Sequence, residues 1–138
     1  MYYWLLKSEP DVYSYNDLIK DKKTNWNGVR NYQAANNLKA MAIDDLAFFY
    51  HSNVGKEIIG ICKIVKTAYP DPSDESRKFV MVDVAPVEIL KYPVTLATIK
   101  STKSLETIAL IKQSRLSVMP ISKQEWDVIL KLSETKSE

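Results

Sequence analysis

The 138-residue chain is 46% hydrophobic and 26% charged, with a formal net charge of +2. That balance belongs to one globular domain and excludes a disordered or fibrous chain. One cysteine, Cys62, and one histidine, His51, exclude an internal disulfide, a zinc knuckle and two-histidine chemistry.

Residues 2–7 are aromatic and apolar and predict a first strand, ended by Glu9-Pro10 because the residue before proline is pushed out of helix. The opening MYYWLLKSEPD lacks the basic leader and apolar core of a secretory signal. Ser14 and Asp17 have the spacing of a capping box, opening a short helix through Lys20. Residues 26–32 read as irregular backbone. Residues 31–41 predict a helix with Tyr32, Ala35, Leu38 and Ala42 on one face. Two strands follow at 46–52 and 57–69, joined by a hairpin-sized turn at 53–56. Their apolar runs, 46–50 and 58–62, are too short for a membrane helix.

Residues 70–78 look loose. Residues 79–87 alternate Val80, Val82 and Val84 with Phe79, Met81, Asp83 and Ala85, the period of a strand. One or two helical turns are expected at 95–100 and 105–110, then a short strand at 116–119 closed by Pro120. A second capping box, Ser122 with Glu125, opens a helix whose apolar face holds Trp126, Ile129 and Leu130. Residues 133–138 form a polar tail. Strands mixed with short helices, without a βαβ repeat, read as α+β: a small curved sheet or barrel with an open mouth.

Enzyme templates find no match. Glycines at 28, 55 and 60 form no phosphate loop, and neither G-x-S-x-G nor H-E-x-x-H occurs. Cys62, between Ile61 and Lys63 in a strand, reads as a buried structural thiol rather than the partner of His51 in a dyad. Charge is segregated: six basic residues against one acid between Lys91 and Lys123, and five acids against two bases between Tyr69 and Leu90. Such a basic stretch is either a solvated surface or a phosphate-facing one.

Four stretches mix aromatic, amide and charged groups: residues 7–10, 26–32, 49–52 and 115–117. Trp26 either packs over the core or presents its face to a planar ligand. Arg30 is an anchor or a phosphate contact. His51 is a hydrogen-bonded structural group or touches a ligand. Asp83 accepts from a base amino group or points to solvent.

The ordered motifs YWLLKSEP, W-x-G-V-R-N-Y-Q-A-x-N, FYHS, II-G, AYPDP, PV-x-L-x-x-IK, RLSV-x-P and a final E-W resemble the EVE domain family of the PUA-like superfamily, from Tyr3 to about Leu130. The resemblance implies one EVE domain over 1–132, an α+β PUA-like pseudo-barrel of about five or six mixed strands with short helices packed around it. EVE domains are similar to YTH domains, which hold methylated adenine in an aromatic cage.

The implied function is a non-catalytic reader of DNA or RNA carrying a modified base, either modified cytosine or methylated adenine. The implied pocket comprises Ser8, Trp26, Asn27, Arg30, Asn31, Tyr32, His51, Ser52 and Asp83, with Lys7, Lys112 and Arg115 at its phosphate-facing rim. Because Asp83 stands near a second cage position, one indole with polar edge contacts is expected instead of a full cage. No catalytic residue, cofactor, metal or membrane is implied. A protein partner would supply any effector activity, and the location expected is the cytoplasm. The runner-up is an enzyme acting on a modified nucleoside or nucleotide in the same pocket.

Overall fold

The computed structural model describes residues 1–136. Its elements, in chain order, are β1 (Tyr3–Ser8), α1 (Tyr15–Asp21), β2 (Thr24–Asn25), α2 (Tyr32–Ala40), β3 (Leu46–His51), β4 (Glu57–Pro70) and β5 (Val80–Thr95). There follow α3 (Leu96–Ser101), a 3-10 turn (Lys103–Leu105), α4 (Ala109–Lys112), β6 (Val118–Ile121) and α5 (Lys123–Leu132). The strands make one mixed sheet in the order β2-β5-β4-β3-β1-β6. Only β1 and β3 run parallel; the other pairs are antiparallel.

The sheet does not close, because β2 and β6 are its unjoined ends. It nevertheless curls strongly: register shifts interrupt the β4–β5 ladder four times, and such bulges bend a sheet. Residues of the β2 edge therefore face the end of β1, four places away in strand order, across a common hollow. This is the α+β architecture expected, an open curl of six strands.

Leu5, Leu6, Phe48, Phe49, Ile58, Ile64, Val82 and Val84 are fully buried, and because successive strand residues point to opposite faces, both sides of the sheet are covered. Trp126 of α5 stacks on Phe48 with centroids 3.8 Å apart. Tyr15, the first residue of α1, plunges into the curl and donates its hydroxyl to the Ile61 carbonyl at 2.7 Å. Burial pushes that phenol up to about 12, so it stays a neutral donor. Gly60 makes room for the ring: a Cβ there would lie 2.5 Å from it. Both predicted capping boxes form, at Ser14 and Ser122, because three-residue reciprocity is a local signal.

Four expectations needed correction. β2, two residues long, lies within a stretch too short to show a period. β5 runs on to Thr95 through Pro86 and Pro93; both stand where its register with β4 shifts, and a strand accommodates proline at such bulges. β6 likewise passes through Pro120 as an edge strand instead of ending there. Residues 70–78 are held, not loose. Asp71 and Asp74 are buried and accept from the backbone N–H groups of Gly28, Ser73, Ser76, Lys78 and Phe79.

Candidate nucleic-acid interface

A hollow of about 350 Å³ opens where β1 ends, lined by Lys7, Ser8, Glu9, Val12, Tyr13, Thr24, Asn25, Trp26 and Asn27. Its volume falls within the range of small-molecule sites, roughly 300–1,000 Å³. One wall is the exit of β1. The chain turns there, with Val12 and Tyr13 both donating their amides to the Glu9 carbonyl. Ser8 closes the turn by donating its hydroxyl to the Tyr13 carbonyl at 2.5 Å, and Tyr13 donates its own to Asp21 at 2.9 Å. Glu9 accepts from the Asn53 amide at 2.6 Å, tying this exit to the β3–β4 turn.

The opposite wall is β2 and its continuation. Trp26 donates its backbone N–H to Val82 at 2.7 Å, which fixes the indole against the edge of Phe49, 5.4 Å between centroids. The ring is 9% exposed. Its neighbours differ from those of the other tryptophans. Trp4 donates its indole N–H to Asp45 at 3.0 Å, and Trp126 is stacked between α5 and the sheet. The indole N–H of Trp26 has no partner, yet no side-chain polar atom among the described residues is both sealed and unbonded. That donor therefore reaches solvent from a residue on the cavity wall. The carboxamides of Asn25 and Asn27, both exposed, are likewise free of protein partners. The cavity thus offers one aromatic wall, an indole donor and two amides able to donate or accept.

What holds the indole-bearing segment is the 70–78 loop. One Asp71 oxygen accepts from the Gly28 N–H at 2.8 Å and from the Arg30 guanidinium at 3.2 Å. The other accepts from the Ser73 N–H and hydroxyl at 2.8 and 2.6 Å. Gly28, at φ +82°, makes the turn that aims its N–H there, a conformation glycine adopts without strain. Burial alone would raise the Asp71 carboxyl, but these bonds from Ser73, Gly28 and Arg30 outweigh it and hold it below its ordinary range. Asp74, bonded first by the Ser76 hydroxyl and then by backbone amides, is held down at about 2.

The anticipated site residues divide between several places. Lys7, Ser8, Trp26 and Asn27 meet at the hollow. Arg30 pairs with Asp71, donates to Ser73 and lies over the Phe79 ring at 5.5 Å; Tyr32 packs on the other part of that ring, 5.0 Å away, and is otherwise exposed. Asn31 caps α2 by accepting from the Ala34 N–H and, with Arg115, borders a second depression. Asp83 is buried and accepts from the Tyr69 hydroxyl at 2.5 Å. Ser52 donates its backbone N–H to Ser8. Lys112 is an exposed residue of α4. Glu9 belongs to the mixed stretch 7–10, but four lining residues, Val12, Tyr13, Thr24 and Asn25, escaped prediction: they sit in a turn and a two-residue strand, where side-chain type carries no periodic signal.

His51 Nε2 accepts from the Tyr15 N–H at 3.1 Å, so its proton resides on Nδ1. Burial lowers its pKa. A base depressed in the folded state binds protons better when unfolded, so this histidine stabilises the fold above about pH 6.5 and loses that contribution as pH falls through its folded pKa. Thermal unfolding should therefore move to lower temperature between pH 7 and 5. His51→Gln, which keeps an acceptor but does not titrate, should flatten that fall; equal falls in both proteins would exclude His51 as its source. Cys62 is fully buried and pushed up to about 12 by burial, which leaves an inert thiol.

Sequence and fold comparisons agree with one another. The EVE domain family model matches residues 2–132. Mouse thymocyte nuclear protein 1 is 39% identical, the match covering 97% of this chain and 74% of the relative. The NMR structure of a Rhodopseudomonas palustris protein is 47% identical with a TM-score of 0.92, covering 97% of this chain and 94% of that one. The crystal structure of human THYN1 protein in complex with 5-methylcytosine containing DNA is 38% identical with a TM-score of 0.91, covering 99% and 100%.

Proposed function

Because the chain belongs to the EVE domain family, we propose that it is a non-catalytic module that takes a modified nucleobase, flipped out or single-stranded, into the hollow beside Trp26. The observation that carries this reading is the indole with an unbonded N–H on a cavity wall, flanked by two free carboxamides. A human relative is bound to DNA containing 5-methylcytosine, which makes modified cytosine in DNA the first ligand to try. RNA and methylated adenine are the competitors.

A stacked base cannot enter such a hollow. Extruding it costs a few kcal/mol, least from a single strand, and stacking on an aromatic returns about 1–3 kcal/mol. Trp26 supplies the stacking face. The Asn25 and Asn27 amides read the base edge, where a wrong base leaves them unpaired. Burying one methyl contributes about 0.8 kcal/mol, so the methyl alone discriminates a few-fold. The reading needs no reacting group, and the single cysteine, Cys62, is sealed. The location proposed with it is the cytoplasm, where a free cysteine stays reduced, with any effector activity proposed for a partner protein.

Fluorescence anisotropy should rank an 11-nucleotide single strand with one 5-methylcytosine a few-fold above its unmodified twin, with N6-methyladenine and RNA strands as further arms. Mass spectrometry should recover the modified nucleoside unchanged. Modification-independent binding would remove the reader reading, and conversion of the nucleoside would replace it with the enzyme.

A further inference from the structure

A second depression of about 340 Å³, lined by Asn31, Gln33, Gln113, Ser114, Arg115 and Leu116, stands one side chain away from the base cavity. Lys7 is that side chain. It lines the cavity, and its ammonium donates to the Ser114 carbonyl at 2.8 Å, with burial lowering its pKa. The ammonium keeps two further donors. The depression contains amides, a hydroxyl and one guanidinium, and no carboxylate. Arg115 is exposed and has no ion pair or hydrogen bond among the described residues, whereas Arg30 is consumed by Asp71 and Ser73.

We propose that this depression holds the nucleotide next to the extruded one. Arg115 takes the phosphodiester, and the Gln33 and Gln113 carboxamides hydrogen-bond the neighbouring base. The inference rests on the base-cavity reading above and adds to it a two-nucleotide footprint. The chemistry fits on each count. A guanidinium meets phosphate with two parallel N–H bonds. A carboxamide presents a donor and an acceptor side by side, the pattern of a base edge. The linkage between the two nucleotides crosses Lys7, whose half-buried ammonium is held by the Ser114 carbonyl.

The test is a cycle between Arg115→Ala and a neutralised linkage. Three single-stranded 11-mers carry one 5-methylcytosine: one with all phosphates charged, one with a methylphosphonate on its 5′ side, one with it on its 3′ side. Wild type should bind one of the two neutralised strands about tenfold more weakly at low salt. Arg115→Ala should bind the charged strand about tenfold more weakly and lose clearly less than wild type does on that neutralised strand, the remainder belonging to Lys7; its salt slope should fall by roughly 0.7. Gln113→Ala should weaken all three strands equally.

Losses that multiply instead of saturating, or Arg115→Ala binding every strand as wild type does, would overturn the inference. Trp26→Ala separates the two readings. Unchanged affinity in that variant overturns the base cavity, and with it the placement of a neighbour beside it; lost affinity without Arg115 coupling overturns the second depression alone.

Discussion

Trp26→Ala should weaken binding of a 5-methylcytosine single strand by about 1–3 kcal/mol, roughly 5- to 150-fold, and should erase most of the preference over unmodified cytosine. The expectation follows from where the ring stands. The ring packs on Phe49 with centroids 5.4 Å apart, and the residue lines the hollow. Alanine removes the stacking face. Because the ring also packs on Phe49, the variant will lose some stability, so binding is compared at a temperature where thermal unfolding shows both proteins folded. Trp26→Phe retains an aromatic face, so it should keep part of the affinity. Full affinity in Trp26→Ala would mean that the nucleic acid does not use this wall.

Asp71→Ala should lower stability by about 2–3 kcal/mol and also impair binding, although Asp71 does not line the hollow. Its carboxylate accepts from Gly28, Arg30 and twice from Ser73. Removing it leaves the Gly28 and Ser73 N–H groups and the Ser73 hydroxyl without that acceptor, while Arg30 keeps the Val29 carbonyl; a hydrogen bond to a charged group contributes about 1.5–3 kcal/mol, less where the donor residue is exposed. The released Gly28 turn directly follows Trp26 and Asn27, so the wall loses its register. Denaturant unfolding measures the first effect and anisotropy the second. Asp71→Asn keeps the shape but surrenders the charge and one pair of acceptor sites; it should fall between wild type and alanine in both measurements. If Asp71→Ala lost stability while binding unchanged, the loop would be a brace for the fold and not for the wall.

Local chemistry was readable from the chain. Ser14 with Asp17 and Ser122 with Glu125 announced two helix starts, and Asn31 sits where a cap should. What escaped was non-local. β2 exists because Thr24 and Asn25 find Val84 and Asp83 sixty residues on, and nothing in two residues foretells that. The alternation at 79–85 suggested one buried face, but the curl covers both sides and buries Met81 and Asp83 along with Val82 and Val84. The proline- and acid-rich stretch at 70–78 looked unstructured because its order comes from carboxylates reaching backbone amides, which composition does not reveal. At the site, motif order singled out Trp26, Asn27, Ser8 and Lys7, whereas Tyr13, Thr24 and Asn25 join them only through the way the curled sheet brings β2 across to β1.

The hollow is built from two kinds of residue, and the division has a consequence for how such a domain diversifies. Ser8, Glu9 and Tyr13 are bonded into the turn that shapes it, but Val12, Asn25 and Asn27 border it while exposed, and the two asparagine carboxamides engage no other side chain. Substitutions at unanchored surface positions typically change stability by no more than about 0.5 kcal/mol. Mutational drift at those three places can therefore retune ligand preference at almost no cost to the scaffold, which equips one inherited architecture to follow a changing repertoire of chemical marks.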